Sequence, residues 1–236
     1  MTARTILVTG GTGALGTTVT RRLLEEGHRV AVSWVVPDEA DRLRRDLAEF
    51  ADLALVRADL SKPADVRAMV AEAEEGLGAI DALVHLVGMW RGGVPLQDVE
   101  DDAWDLVMDV NLRSAFNCAR AVLPGMLGRG WGRLVFVSSR TAHHGQSGQV
   151  PYAVAKAGVA ALAAGLADET RGTGVTANAV SPSILDTEAN RRTFPGADYR
   201  RWVRTDDLAA TISFLTSEAG GAVTGAIVPV HGAVGG

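Results

Sequence analysis

The chain has 236 residues, of which 47% are hydrophobic and 22% are charged, and its net charge at neutral pH is −5. This balance excludes an intrinsically disordered chain, and an acidic chain without a basic stripe gives no support to a nucleic-acid-binding protein. Cys118 is the only cysteine, which excludes an internal disulfide and a thiolate metal site, and the five histidines lack metal-ligand spacing, so we expect no metal.

Short apolar runs alternate with segments of helical periodicity along the whole chain. The predicted strands cover residues 5–9, 29–35, 53–57, 82–87, 133–138, 175–180 and 226–230. The predicted helices cover residues 14–26, 39–50, 63–75, 101–127, 152–172 and 206–217. Continuous apolar runs are typical of strands buried on both faces of a parallel sheet. The alternation therefore predicts one α/β domain over residues 1–236, a doubly wound parallel sheet with helices on both faces.

Residues 181–205 form the longest segment without clear periodicity, and they begin where the sixth predicted strand ends. Ligands of open α/β sheets bind beyond the carboxyl ends of the strands. Connecting segments of this length are usually functional or mobile. We therefore expect residues 181–205 to border the ligand site as a substrate loop.

The first predicted strand runs directly into the turn TGGTGALG, residues 9–16, and a helix follows at once. Glycines permit a tight turn and a close approach of the backbone to a pyrophosphate, which then faces the helix N-terminus. This context favours dinucleotide binding in a fold of the Rossmann type over a merely tight turn. The predicted ligands of the phosphates are Gly10, Thr12, Gly13, Ala14, Leu15 and Gly16.

Tyr152 and Lys156 are spaced to lie on one face of a helix. The chain has 23 basic residues, yet only Lys62 and Lys156 are lysines. An adjacent ammonium favours the phenolate and lowers the pKa of a tyrosine toward the neutral range. The alternative is a surface lysine near a half-buried tyrosine, and the short pattern does not exclude it alone.

Together these features resemble the short-chain dehydrogenase/reductase family over essentially the whole chain. The spacing of thirteen residues between Ser139 and Tyr152 is also that of the family. Four pieces carry the resemblance: the turn at 9–16, Asp59-Leu60 after the third strand, Asn111, and Ser139 with Tyr152 and Lys156.

The resemblance implies a role for each matching residue. Tyr152 is expected to be the general acid that protonates the substrate oxygen as the nicotinamide delivers hydride. Ser139 is expected to bind that oxygen, and Lys156 to bind the nicotinamide ribose and lower the pKa of Tyr152. Asn111 is expected to anchor a water on the proton path, and Asp59 to accept from the adenine amino group. The other cofactor positions implied are Leu60, Trp34, Gly88, Pro182, Ile184 and Thr187.

The sequence departs from the family pattern at three places. The fourth-strand motif, usually Asn-Asn-Ala-Gly, reads HLVG at residues 85–88 and keeps only Gly88. Ala14 stands at the middle glycine of the phosphate turn, and Ser183 replaces the glycine that usually follows Pro182. Side-chain amides that normally brace the cofactor are therefore lost.

The choice between NAD and NADP stays open from the sequence. An acidic residue at the end of the second strand indicates NAD, and an arginine there accommodates the 2′-phosphate of NADP. Trp34 occupies that position, so neither signal is present. Asp38 or Glu39 reaching back would favour NAD.

The sequence leaves several substrates open. A small-molecule carbonyl compound with an acidic or polar aromatic part fits the expected pocket wall, and a 3-oxoacyl thioester or an aromatic polyketide ketone is the first interpretation. Residues 186–202 also resemble dihydropteridine reductases, which favours a quinonoid pterin as the alternative. In a structural interpretation, Asp186, Asn190 and Arg191 only cap and pin a helical flap. The expected wall consists of Met89, Trp90, Arg140, His143, His144, Ile184 and Phe194.

A non-catalytic dinucleotide sensor is the alternative of another class, since fold does not fix function. We expect a cytoplasmic protein, because we expect no apolar run to reach membrane-spanning length and the chain begins with a predicted strand rather than a leader. We further expect a homotetramer or homodimer, without nucleic-acid or membrane partners. Small residues that permit close helix packing support the oligomer: Ala153, Ala157, Ala160, Ala161 and Ala164.

Overall fold

The computed structural model describes residues 2–233. The strands are β1 Thr5–Thr9, β2 Arg29–Trp34, β3 Leu53–Arg57, β4 Ala82–His85, β5 Gly132–Val137, β6 Val175–Pro182, β7 Leu185–Asp186, β8 Val203–Arg204 and β9 Ile227–Val230. The α-helices are α1 Ala14–Glu25, α2 Pro37–Asp46, α3 Pro63–Leu77, α4 Asp101–Met108, α5 Ser114–Arg129, α6 Val150–Glu169, α7 Glu188–Thr193 and α8 Thr205–Thr216.

Seven strands form one parallel sheet in the order β3-β2-β1-β4-β5-β6-β9. From β1 the chain adds β2 and β3 on one side, and it then adds β4, β5, β6 and β9 on the other side. The strand order therefore reverses between β1 and β4, and ligands of such sheets bind at this point. The predicted doubly wound α/β fold is confirmed. Because all seven strands run the same way, their carboxyl ends share one edge of the sheet.

Two apolar clusters fill the two faces of the sheet and explain why the strand sequences are almost continuously hydrophobic. Met69, Cys118 and Phe136 belong to the cluster between the sheet and helices α3, α5 and α6. Leu23 and Leu208 belong to the cluster beneath α1, α2 and α8. Burial on both faces makes the sheet a rigid base for the loops at its carboxyl edge.

The helix predicted over residues 101–127 is helical throughout, but a π-helical turn, Asp109–Arg113, divides it into α4 and α5. Asn111 lies in this turn, and its buried side chain clamps the backbone of Met89. The amide oxygen accepts from Met89 N at 3.1 Å, and Nδ2 donates to Met89 O at 3.0 Å and to Val107 O at 2.9 Å. A π turn inserts one extra residue, which apolar periodicity does not reveal.

Residues 181–205 are not a structureless loop, since they contain the two-stranded sheet β7-β8 and the short helix α7. Asp186 accepts two hydrogen bonds from the Arg191 guanidinium, at 2.6 and 2.7 Å. Asn190 Nδ2 donates to Leu185 O at 2.8 Å. These contacts agree with the interpretation in which the three polar residues pin a helical flap.

Helix α6 is, among the described residues, the one helix long and apolar enough to cross a membrane by length and composition. The expectation that no run reaches that length is therefore wrong. A core helix passes the same test, and Val159 and Ala163 of α6 lie in the apolar cluster against the sheet. Its burial among other residues explains its apolar composition.

His85 ends β4 where the family usually has an asparagine, and it joins three elements in a buried network. Its Nδ1 lies 2.8 Å from Thr9 Oγ1 at the end of β1, and its Nε2 lies 3.2 Å from Ser114 Oγ at the start of α5. The Ser114 hydroxyl donates to Val110 O at 2.6 Å, so it accepts from His85 Nε2–H. Thr9 then donates to Nδ1. This assignment fixes one neutral tautomer of His85.

Burial and the nearby charge of Lys156 lower the pKa of His85 to about 3. Both nitrogens already have partners that match the neutral ring, so a second ring proton would displace the Thr9 hydrogen bond. His85 therefore holds the β1 turn and the π-helical turn together without carrying a charge.

Replacing His85 by Asn tests this assignment through the pH dependence of stability. Unfolded His85 gains a proton below its ordinary pKa of 6.5, whereas the folded residue does not until about pH 3. The unfolded state thus binds more protons in that window, and stability falls as the pH falls. We expect the wild type to lose about 2 kcal/mol more unfolding free energy between pH 7 and pH 5 than His85→Asn.

Urea denaturation at the two pH values measures the difference. His28 and His231, whose pKa values burial also lowers, are present in both proteins and cancel in the comparison. Equal losses in the two proteins would contradict a neutral buried His85.

Candidate active site

The glycine turn that connects β1 to α1 leaves no room for a side chain at its most critical position. A Cβ added to Gly16 would lie 2.2 Å from Gly10 O and 2.5 Å from Gly11 Cα. Gly13 caps α1 without a side-chain hydrogen bond, so the first N–H groups of the helix stay directed at the turn. Such an N-terminus is an anion site, which fits the pyrophosphate of a dinucleotide.

The other predicted turn residues differ in their surroundings. Ala14 is exposed at the start of α1, whereas Leu15 packs against the apolar core and Thr12 is buried. Thr12 Oγ1 donates to Glu39 Oε2 at 2.8 Å, and Thr12 O accepts from Arg42 Nη2 at 2.9 Å. Both an acidic and a basic side chain of α2 therefore reach the turn.

Arg42 was missed by the sequence analysis. Its signal was its position one helical turn after Glu39, on the same face of α2. The carboxylate that would favour NAD thus lies beside a guanidinium that would favour NADP. Asp38 stays exposed, so of the two acidic candidates only Glu39 contacts the turn.

A cavity of about 400 Å³ continues the crevice beyond the ends of β2 and β3. Trp34 ends β2, and the cavity begins with the next residue, Val35. Asp59 lines the cavity, but its carboxylate already accepts from Ser61 N and Ser61 Oγ and lies 3.2 Å from Lys62 Nζ. The hydrogen bond from the Ser61 hydroxyl is the main cause that lowers the pKa of Asp59.

Leu60, the predicted cofactor position beside Asp59, does not direct its side chain toward the cavity. The side chain belongs to the apolar core, and the carbonyl oxygen accepts from Asn117 Nδ2 at 3.0 Å. The alternation of neighbouring residues after β3 turns Asp59 toward the cavity and Leu60 toward the core.

Lys156 is buried beneath the crevice, with 3% of its surface exposed. Its Nζ donates to Val137 O at 2.9 Å and lies 6.0 Å from the centre of the Tyr152 ring. A Cβ added to Gly88 would lie 2.7 Å from this Nζ and 3.1 Å from Asn111 Oδ1. Glycine at position 88 is therefore required for the ammonium to reach its place.

Tyr152 and Ser139 meet at the end of β5. The Ser139 side chain is near enough to the Tyr152 hydroxyl to influence its pKa, and its Oγ accepts from Thr141 N at 3.2 Å. Ser139 thus caps the short 3₁₀ turn Arg140–Ala142 while it lies near the phenol. Capping the turn fixes the position of Ser139 next to Tyr152, and its role toward a substrate oxygen stays a prediction.

Lys156 was expected to lower the pKa of Tyr152, yet the net shift of this pKa is upward. Burial raises the pKa of the Tyr152 phenol, and the hydrogen bond with Ser139 only partly opposes it. Burial also lowers the pKa of Lys156, to about 8. The phenol therefore keeps its proton at neutral pH, which is the state that a proton donor requires.

Asn111 is close to Lys156, but both N–H groups of its amide are bonded to backbone carbonyls. A water on the proton path would have to bind Oδ1 or a carbonyl of the π-helical turn. That role stays a prediction. What the geometry does show is that Asn111 fixes Met89, next to Gly88, above the ammonium.

The remaining predicted cofactor residues follow β6. Pro182 is buried at the strand end, paired in register with Val230. Ile184 is 37% exposed at the crevice, and Thr187 caps α7 by accepting from Asn190 N at 3.2 Å. The residues present thus fit a dinucleotide: a glycine cradle at a helix N-terminus, a cavity at its far end and a buried ammonium near its middle.

Comparison with known proteins agrees with this geometry. The model of the short chain dehydrogenase family matches residues 4–198. The acetoacetyl-CoA reductase of Allochromatium vinosum is 38% identical over 98% of both chains. The 3-oxoacyl-(acyl-carrier-protein) reductase FabG of Staphylococcus aureus is 30% identical over 97% of both chains.

Among solved structures, a variant of the actinorhodin polyketide ketoreductase with NADPH superposes with a TM-score of 0.91 at 28% identity. The superposition covers 99% of this chain and 97% of the ketoreductase chain. The family match over most of the chain, together with these relatives, makes the protein an NAD(P)-dependent oxidoreductase. The chain belongs to the short-chain dehydrogenase/reductase family.

Proposed function

We propose that the protein reduces the ketone of a 3-oxoacyl thioester, or of a related polyketide-like compound, with Tyr152 as the proton donor. The observation that carries the proposal is the position of Tyr152 at the start of α6, near Ser139 and 6.0 Å from the buried ammonium of Lys156. The relatives named acetoacetyl-CoA reductase and 3-oxoacyl reductase support this substrate class. We place the enzyme in the cytoplasm, where thiols stay reduced, because its single cysteine is free and buried.

Ser139 and Tyr152 have different roles: Ser139 holds the substrate carbonyl, and Tyr152 supplies the proton. Ser139 donates to the carbonyl oxygen and keeps it within reach of the Tyr152 hydroxyl. Tyr152, protonated at neutral pH, gives its proton to that oxygen as negative charge develops there. A bound nicotinamide supplies the hydride in this direction and accepts it in the reverse direction.

Lys156 prepares the site in two ways. Its positive charge stabilises the phenolate that remains after Tyr152 has given up its proton. Its burial keeps that charge in a low-dielectric setting, where the stabilisation is larger than in water. With Gly10, Gly16, Gly88 and Thr187, Lys156 is also proposed to hold the dinucleotide.

Neither alternative, the pterin reductase or the non-catalytic dinucleotide sensor, is favoured. The relatives and structural neighbours are ketone reductases, which does not favour a pterin substrate. The segment that resembled pterin reductases uses Asp186, Asn190 and Arg191 to pin α7. The non-catalytic sensor is not supported, since the chain belongs to a family of enzymes and Ser139, Tyr152 and Lys156 are all present.

Tyr152→Phe tests the proposed proton donor. Loss of a general acid typically costs about 10²–10⁴-fold in rate, and we expect kcat for acetoacetyl-CoA reduction to fall by that amount. The dissociation constants of NADH and NADPH, measured side by side by fluorescence, should not change. Tyr199→Phe is the matched control, because the Tyr199 hydroxyl only approaches the carbonyls of Arg191 and Phe194. Wild-type rates in Tyr152→Phe would contradict the proposal.

Gly16→Ala tests the proposed cofactor cradle. The new methyl group would overlap backbone atoms of residues 10 and 11, so the turn must move. Overpacking costs about 1–3 kcal/mol, and we expect a loss of NAD(P)H affinity of about tenfold or more. Titration calorimetry measures it.

The control for that experiment is Gly76→Ala in α3, where an added Cβ meets nothing within 4 Å. This variant should bind normally and gain about 0.5–1 kcal/mol of stability. Normal cofactor affinity in Gly16→Ala would mean that the dinucleotide does not lie on this turn.

We propose further that the protein is a homo-oligomer. One face of α6 leaves five apolar side chains at heptad spacing uncovered or half-covered, and α5 adds Phe116 and Leu127. The expectation that Ala160 belongs to this face is wrong, because Ala160 is buried. The uncovered stripe on α6 consists of Val150, Val154, Ala157, Ala161 and Ala164.

Val154→Glu places a charge in that stripe, and burying an unpaired charge is costly. We expect sedimentation velocity to show an oligomeric wild type and a smaller species for Val154→Glu. Ala71→Glu, at an exposed position of α3, is the control and should sediment like the wild type. A wild-type monomer at micromolar concentration would refute the proposal.

A further inference from the structure

Four basic residues lie in two segments at the carboxyl edge of the sheet, and one of these segments begins at Ser139. β5, β6 and β9 are neighbours in the sheet. Arg140, His143 and His144 lie in the turn after β5, and His231 follows β9 on the far side of β6. None of these residues has a role in the mechanism described above.

The turn after β5 folds back on itself, which keeps its three basic residues together. Arg140 O accepts from His143 N at 3.0 Å and from His144 N at 3.1 Å. Ser139 caps this turn from its start. The catalytic serine and the basic turn are thus one structural unit.

His231 joins this unit from the other side. Ser183 Oγ donates to His231 O at 2.8 Å, which holds the residue after β9 against the end of β6. Its Nε2 is buried and has no partner within residues 2–233. Burial, and after it the charges of Arg140, His144 and His143, lower the pKa of this ring.

No acidic side chain neutralises this basic cluster in the described part of the chain. Arg140 forms no ion pair or side-chain hydrogen bond with any of residues 2–233. The acidic residues of the adjoining segment are already paired, Asp186 with Arg191 and Asp198 with Arg200. Among the described residues, a guanidinium without an acidic partner, together with a buried imidazole nitrogen without a partner, gives this group an electrostatic and hydrogen-bonding reason to bind an anion.

We propose that Arg140, His143, His144 and His231 bind an anionic group of the substrate while its ketone lies at Ser139 and Tyr152. This inference rests on the proposed function and names the substrate class more closely, as an anionic ketone. Two sources share the required chemistry, namely the carboxylate of a short keto acid and a phosphate of a pantetheine thioester. An arginine suits both, because its planar guanidinium binds either oxyanion with two hydrogen bonds.

Arg140→Gln tests the subsite with two matched substrate pairs. The first compares acetoacetate with its neutral methyl ester, and the second compares acetoacetyl-CoA with the neutral N-acetylcysteamine thioester. Hydrogen bonds to charged groups are strong enough that we expect the anionic-to-neutral ratio of kcat/KM to fall by about tenfold or more in one pair. The affected pair identifies the source of the anion.

Arg67→Gln is the matched control, because Arg67 is exposed on α3 and should leave both ratios unchanged. A fall of the ratio in Arg140→Gln, carried by KM rather than kcat, supports the subsite. Equal ratios in the wild type and in Arg140→Gln for both pairs would overturn it. In that case, turnover of the neutral substrates would still uphold the proposed reductase activity.

A binding measurement keeps the inference testable if none of the four ketones is turned over, an outcome that would count against the proposed function alone. Calorimetric titration of the protein with NADP⁺ present would use acetoacetate and inorganic phosphate as probes. Binding of either probe that weakens about tenfold or more in both Arg140→Gln and His231→Asn supports the subsite. Absence of binding, or equal binding by all variants, would refute it.

Discussion

The buried ammonium of Lys156 is the constraint on which the rest of the site depends. A charge removed from water must be compensated, and here the compensation comes from Val137 O and from the crevice that the ammonium faces. Its position requires Gly88, because any side chain there would collide with Nζ. It also places the charge beside the Tyr152 ring, where a phenolate can be stabilised. The spacing of Tyr152 and Lys156 on α6 has a function only because α6 presses this side chain against the end of β5.

Neutral polar clamps around Lys156 hold the backbone in place. His85, uncharged between Thr9 and Ser114, ties the end of β1, where the glycine turn begins, to the start of α5. Asn111 ties the π-helical turn to Met89. A second buried charge next to Lys156 would raise the electrostatic cost, so neutral hydrogen-bonding groups are the stable choice there. The histidine at the family's asparagine position keeps such a clamp with different chemistry.

Outside this rigid centre the charge pattern changes. The floor of the site has one ammonium and neutral partners, whereas the turn after β5 and the residue after β9 carry several basic groups. Ser139 belongs to both regions, since it lies near Tyr152 and caps the basic turn. The reacting carbonyl and the proposed anionic group of the substrate would thus be positioned by one continuous piece of backbone.

The sequence alone determined the order of strands and helices, the glycine turn before α1 and the grouping of Ser139, Tyr152 and Lys156, because hydrophobic periodicity, glycine content and residue spacing are local properties. Local patterns did not reveal the π turn at Asn111, the inward side chain of Leu60 or the reach of Arg42 to Thr12. The direction of the Tyr152 pKa shift was also decided by tertiary structure, since it depends on how deeply neighbouring elements bury the phenol. Tertiary structure also decided that Arg140 and His231 lie near each other. The two residues are distant in the chain, and only the order β5-β6-β9 in the sheet brings the segments that carry them together.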